Sequence, residues 1–244
     1  MKQIQREKRA PGDLEKRISL REILGWLTLW GFVYGPLDER LEIRKALEKA
    51  LRKPVPAHVN WTFCFGGVTF LLFIVLAITG VLLLMYYRPT TADAYASVVQ
   101  ITNEVPFGWL IRGLHFWAAN LMIIMVFLHM LRVYFYGAYK PPRDLNWVAG
   151  FFLLMITLAF GFTGYLLPWS QLSYWATAVG TEMPAAFPLV GDTFKFLLRG
   201  GPDISQLTLT RFFAIHILVL PAITAFLLAA HFAIVRRQGI SGPL

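Results

Sequence analysis

The sequence predicts an all-α membrane protein, a bundle of four transmembrane helices with amphipathic surface helices beside it. Hydrophobic residues make up 57% of the 244 positions and charged residues only 15%, a balance unsuited to a chain surrounded by water. Four stretches without a charged residue are each long enough to cross about 30 Å of hydrocarbon as a helix. This composition argues against soluble enzyme folds with large sheets.

The four stretches are named spans A to D and cover residues 61–87, 113–131, 147–169 and 212–235. Segment 23–34 is also uncharged, but it is too short to span a membrane. It lacks a small-residue cleavage site, so it predicts an interfacial helix rather than a signal peptide.

Further surface helices are predicted outside the spans. Residues 40–53 form a basic amphipathic pattern before span A, with one apolar face made by Ile43, Leu47, Ala50 and Leu51. In the loop between spans C and D, segments 175–179 and 192–198 predict short helices. Asp192 is the expected N-cap of the second one, and Gly200 and Gly201 are expected to end it.

Basic residues predict the orientation of the chain in the membrane. The net charge is +9, but 13 of the 23 Lys and Arg residues precede His58, so the charge is a terminal feature and no nucleic-acid partner is expected. The N-terminal region, the B–C connection and the C-terminal tail together hold 18 of the 23. Both termini are therefore expected in the cytoplasm. We predict a basic extension at 1–58 and a four-helix domain at 59–244.

Four of the five histidines fall inside spans: His115 and His129 on B, His216 and His231 on D. Intramembrane imidazoles are costly unless they have partners, so they indicate function. Residues 14 or 15 apart on a helix are separated by about 3.9 or 4.2 turns and about 21–22 Å. Each helix thus presents two imidazoles on nearly one face, and His115 matches His216 in depth as His129 matches His231.

Two facing imidazoles can fill both axial positions of a haem iron and give a centre suited to electron transfer. Zinc or copper usually takes three or four ligands, and each level offers two histidines. A lone cysteine, Cys64, excludes an intramolecular disulfide framework. The pattern predicts two haems stacked along the membrane normal.

Glycines and arginines support this interpretation. Spans A and C carry glycines with the same 14-residue step, where a flat macrocycle could approach the backbone: Gly66, Gly80, Gly150 and Gly164. Helix packing is the alternative explanation of such glycines. Three arginines beside spans B and D are candidate partners of haem propionates: Arg112, Arg132 and Arg236. Arg236 and its neighbour Arg237 could equally be interfacial anchors.

Beyond these patterns, residues 37–244 resemble the short, split cytochrome b of quinol–cytochrome c reductases, the cytochrome b6 type. The resemblance rests on PAHVNWTFCFGG, FGWLIRGLHFW, FLHMLRVY, GFTGYLLPWSQLSYWA, LTRFFAIH and HFAIVRRQGISGPL. It implies that quinol is oxidised at the outer side and that electrons cross two b haems to an inner quinone site, coupled to proton translocation. His115 and His216 would bind the outer haem, and His129 and His231 the inner one.

The resemblance also implies further sites and partners. Cys64 would attach a haem c through a single thioether, and Tyr165, Pro168 and Trp169 would line the outer quinol pocket. The expected partners are a subunit carrying the C-terminal cytochrome b half, a Rieske iron–sulfur protein and a c-type cytochrome, in a dimeric complex. The expected location is the bacterial plasma membrane, with the thylakoid as the alternative.

Some positions depart from the family pattern. Phe116 and Ser170 replace residues more usual there, and Lys49 stands where photosynthetic members carry an acid linked to inner proton uptake. Glu48 or Lys53 are substitutes for that acid. Two other functions remain open at this point: a dihaem membrane anchor of a dehydrogenase or nitrate reductase, and a haem-free transporter whose histidines relay protons.

Overall fold

The computed structural model describes Glu42, Lys45 and residues 56–241. The predicted surface helices at 23–34 and 40–53 therefore lie outside the described residues, apart from those two positions. The division into parts 1–58 and 59–244 stays a prediction. From His58 onward the chain forms one compact unit, and its described residues contain helices and turns but no strand.

In chain order, the main helices of the described residues are α1 Phe65–Leu84, α2 Ala94–Asn103, α3 Gly108–Phe135, α4 Asp144–Leu166, α5 Gln171–Glu182, α6 Gly191–Arg199, α7 Gln206–Ala214 and α8 Leu220–Gln238. A 3-10 turn, Trp61–Cys64, leads into α1, and a π turn, Ile215–Val219, joins α7 to α8. Four continuous helices are long and apolar enough to cross a membrane: Trp61–Leu84, Gly108–Phe135, Asp144–Leu166 and Gln206–Gln238. They correspond to spans A to D, so the predicted fold class is confirmed.

The ends of the spans differ from the charge-free stretches. Helices B and D continue past them and include Arg112, Arg132 and Arg211. Long basic side chains can extend to the membrane interface, so a charge does not end a helix there. Spans A and C end earlier than predicted, and Trp169 after span C has a left-handed φ of 50°.

The loop between spans C and D contains both predicted helices, with corrected bounds. The first, α5, is longer than expected and is capped by Ser170, whose side chain accepts from the Ser173 N–H. The predicted N-cap at Asp192 is wrong: Val190 caps α6, and Asp192 lies in its first turn, where a negative charge suits the helix dipole. Gly200 ends α6 with a φ of 82°, as predicted, and Gly201 follows it. The helix α2 between spans A and B was not predicted.

Side-chain contacts fix the directions of the spans. The Asn60 amide donates to the Tyr136 hydroxyl at 3.0 Å, so span A starts where span B ends. The Gln238 amide donates to the Pro142 carbonyl at 2.5 Å, so span D ends where span C starts. We call this face of the bundle the B–C end, and the opposite face, which carries the A–B and C–D loops, the C–D end. Spans B and D both end at the B–C end and are therefore parallel.

The spans pack as two pairs. Span A packs chiefly on span B, and span C chiefly on span D, whereas B and D approach each other at few points within the described residues. Only 6–17% of the most apolar window of each span is buried inside the protein. The remaining apolar surface suits hydrocarbon, because helices satisfy their own backbone hydrogen bonds there.

A small core closes the C–D end. Its fully buried members are Ala94, Leu166, Leu209 and Phe212. The Tyr87 hydroxyl donates to the Leu167 carbonyl at 2.6 Å, which ties the end of span A to the end of span C. Burial raises the pKa of that phenol above its ordinary value, so the hydroxyl keeps the proton it donates.

One buried guanidinium holds the C–D loop together. Arg199 is 6% exposed. It donates to the Thr181 hydroxyl at 2.7 Å and to the Ala178 carbonyl at 2.9 Å, and it lies 3.0 Å from the Glu182 carboxylate. These contacts join α5 to α6 and satisfy a charge that would otherwise be costly to bury.

Candidate haem-binding site

The four intramembrane histidines come together in two pairs, one near each end of the bundle. At the B–C end the ring centroids of His129 and His231 are 6.5 Å apart, with an angle of 78° between the ring planes. Nearer the C–D end, His115 is close enough to His216 to act on it electrostatically. The structure thus brings together the residues that the spacing pairs.

Every one of these imidazoles packs against a glycine of the neighbouring span. A Cβ atom on Gly66 would lie 2.9 Å from His129 Cε1, and one on Gly164 would lie 2.7 Å from His216 Cε1. Both distances are too short for a real side chain. The same relation joins Gly80 to His115 at 3.4 Å and Gly150 to His231 at 3.6 Å. Span A therefore supports the histidines of span B, and span C those of span D.

This contact changes the role given to the glycines. They were predicted to make space for a macrocycle, and in the structure each one also makes space for an imidazole. Each glycine lets the Cε1 side of a histidine ring approach the backbone of span A or span C, which we call the wall helices. The glycines of spans A and C and the histidines of span B are all 14 residues apart, because each glycine packs against one histidine.

Span D has a step of 15 residues, and the π turn accounts for the extra one. In this turn the Leu220 N–H bonds to the Ile215 carbonyl, five residues back, and the turn contains His216. A π turn takes up more residues than an α turn, so the two histidines of span D stay in register. Pro221 favours the wide turn because it has no N–H to offer the carbonyl four residues before it.

At the C–D end, a threonine fixes the tautomer of each histidine. The Thr79 Oγ1 lies 2.9 Å from His115 Nδ1, and the Thr163 Oγ1 lies 3.0 Å from His216 Nδ1. Each hydroxyl already donates its proton to a backbone carbonyl four residues back, at 2.7 Å from Thr79 and 2.8 Å from Thr163. It must therefore accept from Nδ1–H, which leaves Nε2 with a free lone pair, the state that binds a metal.

The role of these two threonines was not predicted from the sequence. The available signal was a Thr-Gly pair at the same level on both wall helices, Thr79-Gly80 and Thr163-Gly164. A hydroxyl in a membrane helix usually bonds to its own backbone, which makes its second contact invisible in a sequence.

The B–C end differs because several of its buried polar atoms lack partners within the described residues. The Nδ1 atoms of His129 and His231 are buried and unbonded within the described residues. His231 lies near the backbone of Asn146, but that approach does not meet the geometry of a hydrogen bond. Further unbonded buried atoms belong to Arg132, Arg143, Asn146, Gln238 and Ser241.

Arg132 is the best placed of the predicted propionate partners. Its guanidinium carbon lies 3.4 Å from the centroid of the Phe63 ring, and its Nε and Nη2 atoms are buried without a partner. Stacking of this kind holds the planar group while its N–H donors stay available for a carboxylate. Arg112 and Arg236 are exposed instead.

These features fit two haems. Each level offers two imidazoles, and Nε2 has a free lone pair at both histidines near the C–D end. Because the spans pack as two pairs, the histidine-bearing spans B and D are held apart. At the B–C end, buried N–H donors of arginine without partners in the described residues suit the carboxylates of haem. No group of three or more His, Cys, Asp or Glu residues comes together in the part of the chain that the structure describes.

The remaining predicted site residues lie at opposite ends. Cys64 is exposed at the start of span A, at the B–C end. Tyr165 is exposed near the C–D end, where Pro168 and Trp169 are half-buried. The Trp169 ring centroid is 5.9 Å from that of Tyr174, so span C and α5 meet through aromatic side chains.

Comparison with known proteins decides the family. Residues 50–239 match the family model described as cytochrome b/b6/petB. The chain belongs to the cytochrome b family. It is 52% identical to cytochrome b6 of Heliobacterium mobile over 210 residues, 85% of this chain and 99% of that protein. It is 49% identical to cytochrome b6 of Euglena gracilis over 212 residues, 87% of this chain and 99% of that protein.

A solved structure gives the same result. A chain of a hyperthermophilic respiratory Complex III matches with a TM-score of 0.79 and 35% identity, over 85% of this chain. This protein spans 55% of that longer chain. The predicted identity is confirmed: the protein is a membrane-embedded cytochrome b subunit of a quinol–cytochrome c or plastocyanin-type oxidoreductase, and haem b is its implied cofactor. The match favours this prediction over the dehydrogenase anchor and the haem-free transporter.

Replacing Gly66 with Ala tests the contact between a glycine and its histidine. The new methyl group would lie 2.9 Å from His129, so the ring must move and haem b binding at the B–C end should be lost or weakened. Gly67→Ala is the matched control, because a Cβ there meets nothing within 4 Å. The measurement is haem b per chain in the purified complex. Equal haem content in both variants would contradict the role given to Gly66.

Proposed function

We propose that His115 and His216 are the axial ligands of one haem b, and that His129 and His231 are those of a second. Through these two centres the subunit would carry electrons across the membrane, from quinol oxidised at the C–D end to a quinone site at the B–C end, coupled to proton translocation. The observation that carries the proposal is the pairing of the four imidazoles at two levels, each supported by its own glycine.

The residues of the chain give each ligand a fixed position. Thr79 and Thr163 hold the proton on Nδ1 of the two histidines they face, and the glycines set the distance of each ring from its wall helix. A haem held by each pair of imidazoles would supply a one-electron centre with no free position for oxygen. The apolar spans around the histidines exclude water from the electron path.

Arginine side chains would bind the propionates. Arg132 is proposed for the centre at the B–C end, because its stacked guanidinium has unused buried donors near His129. Arg112 and Arg236 are exposed near the two ends and could reach outward-facing carboxylates. Arginine suits this role since its fork of N–H donors matches a carboxylate.

The quinol pocket is proposed at the C–D end, with Tyr165, Pro168 and Trp169 in its wall. Support comes from their position just beyond Gly164, on the same end of the bundle as His115 and His216. Flat aromatic and apolar side chains suit a quinol ring. The acidic residue needed to take up a proton from the quinol would come from a partner subunit.

We further propose that Cys64 carries a covalently attached haem c at the B–C end. The thiol is exposed where span A begins, two residues before Gly66, which supports His129. A lone cysteine is more often a small buried hydrophobe, whereas this thiol lies on the surface of the protein.

Orientation and partners complete the proposal. The basic residues of the B–C loop and tail favour a cytoplasmic B–C end and cytoplasmic termini, most simply in a bacterial plasma membrane, with the thylakoid as the alternative. The proposed partners are a subunit with the C-terminal cytochrome b half, a Rieske iron–sulfur protein and a c-type cytochrome, in a dimeric complex.

Replacing His129 with Ala is expected to remove the haem b at the B–C end and to leave the other reducible by quinol, because each level has its own ligands. His58→Ala is the control: this fifth histidine lies at the same end, but its Nε2 contacts the Ser241 carbonyl at 2.8 Å. Reduced-minus-oxidised spectra of the intact complex measure both centres. Two intact centres in the His129 variant would overturn the ligand assignment.

Haem covalently bound to Cys64 should stay with the polypeptide on a denaturing gel after acid–acetone extraction has removed haem b. Cys64→Ser should abolish the haem stain, because the serine hydroxyl cannot form the thioether. The haem b spectrum of the variant serves as the control for folding. A wild-type band without haem would refute the attachment and leave the two-haem proposal intact.

Single cysteines placed at the two ends test the orientation. A membrane-impermeant maleimide applied to intact cells should label Asp203→Cys in the C–D loop and spare Lys140→Cys in the B–C loop, since both positions are exposed on the protein. The wild-type chain sets the background from Cys64. The reverse labelling would exchange the sides of quinol oxidation and quinone reduction.

A further inference from the structure

The two histidine levels differ in the groups that face their Nδ1 atoms. At the C–D end both Nδ1 atoms contact a buried threonine hydroxyl, and Thr79 and Thr163 are 4% and 6% exposed. At the B–C end the corresponding atoms of His129 and His231 are buried and unbonded within residues 56–241. The positions that precede the supporting glycines there are Phe65 and Ala149, which carry no hydroxyl.

The threonine contact has a definite direction. Each hydroxyl has one proton, and that proton goes to the backbone carbonyl four residues back. The histidine N–H is therefore the donor and the threonine oxygen the acceptor. An acceptor on Nδ1–H makes the imidazole a stronger electron donor through Nε2.

We propose that Thr79 and Thr163 are positioning residues that lower the reduction potential of the centre at the C–D end relative to that at the B–C end. A more electron-rich imidazole stabilises the oxidised iron, so the centre gives up its electron more readily. With haem bound at both levels, one electron would pass from the C–D centre, which would be oxidised, to the B–C centre, which would be reduced. No bond forms or breaks and no proton moves. The inference rests on the ligand assignment proposed above.

The two threonine hydroxyls would thus influence the direction of electron transfer between the two centres. Two identical centres would share an electron evenly, whereas hydrogen-bonded ligands at one end bias it toward the other. Both wall helices contribute, so both axial ligands of one centre are affected and neither ligand of the other. A paired difference of this kind produces a larger bias than a single contact would.

The test is a redox titration of the intact purified complex, followed by the haem b absorbance, with Thr79→Val and Thr163→Val combined. Valine has nearly the shape of threonine but accepts no hydrogen bond. We expect the equilibrium constant for reduction of the C–D centre to increase about tenfold. For a one-electron couple this raises its reduction potential by about 59 mV. The B–C centre should keep its potential.

Controls come from the same helices. Thr69 and Thr157 also bond to the carbonyl four residues back, at 2.9 and 2.8 Å, and have no histidine contact among their hydrogen bonds. The combined Thr69→Val and Thr157→Val variant should leave both potentials unchanged. Thr163→Ser keeps a hydroxyl and should keep the wild-type value. Equal shifts in the control and test variants would overturn the proposal.

A second variant decides the matter if the valine substitutions expel the haem. Ala149→Thr places a hydroxyl beside His231 in the position that Thr163 has beside His216, and the potential of the B–C centre should fall. An unchanged potential there would overturn the proposal. The wild-type titration separates this outcome from failure of the proposed function: fewer than two haem b centres would refute the ligand assignment itself.

Discussion

The structure depends on one constraint, that an imidazole within a membrane must have partners. Four such groups lie in this bundle, and the surrounding features arrange them in two pairs. Parallel spans B and D bring the histidines to matched depths, and the wall glycines let each ring lie against spans A and C. The π turn keeps the ligands of span D in register despite an extra residue. The positions of the four histidines explain all of these features together.

The two ends of the bundle are built differently around this shared core. The C–D end is closed by a buried cluster, by the Tyr87 hydrogen bond and by the contacts of Arg199, and threonines bond to its histidines. At the B–C end, single guanidinium nitrogens and amide oxygens are buried without partners, the cysteine is exposed and the imidazole Nδ1 atoms are unbonded, all within the described residues. This contrast suits a subunit that receives electrons at one end and releases them, with protons taken up, at the other.

Much of this arrangement follows from sequence, because burial in a bilayer leaves strong periodic signals. The pairing of His115 with His216 and of His129 with His231 needs only the helical repeat and the directions of the spans. The contacts made across helices are harder to predict. Thr79 and Thr163 look like ordinary backbone-bonded residues, and the occupant of the glycine space depends on side-chain packing. Asp192 was misplaced because the helix begins before it, at Gly191, with Val190 as the N-cap.

The central claim is that each level binds one haem b between two imidazoles. The most direct measurement is electron paramagnetic resonance of the oxidised complex bearing Cys64→Ala, combined with extractable haem per chain. That variant removes any covalent haem from the spectrum. The account predicts two extractable haems per chain, both low-spin with two nitrogen ligands. One haem per chain, or a high-spin centre that binds carbon monoxide when reduced, would contradict it.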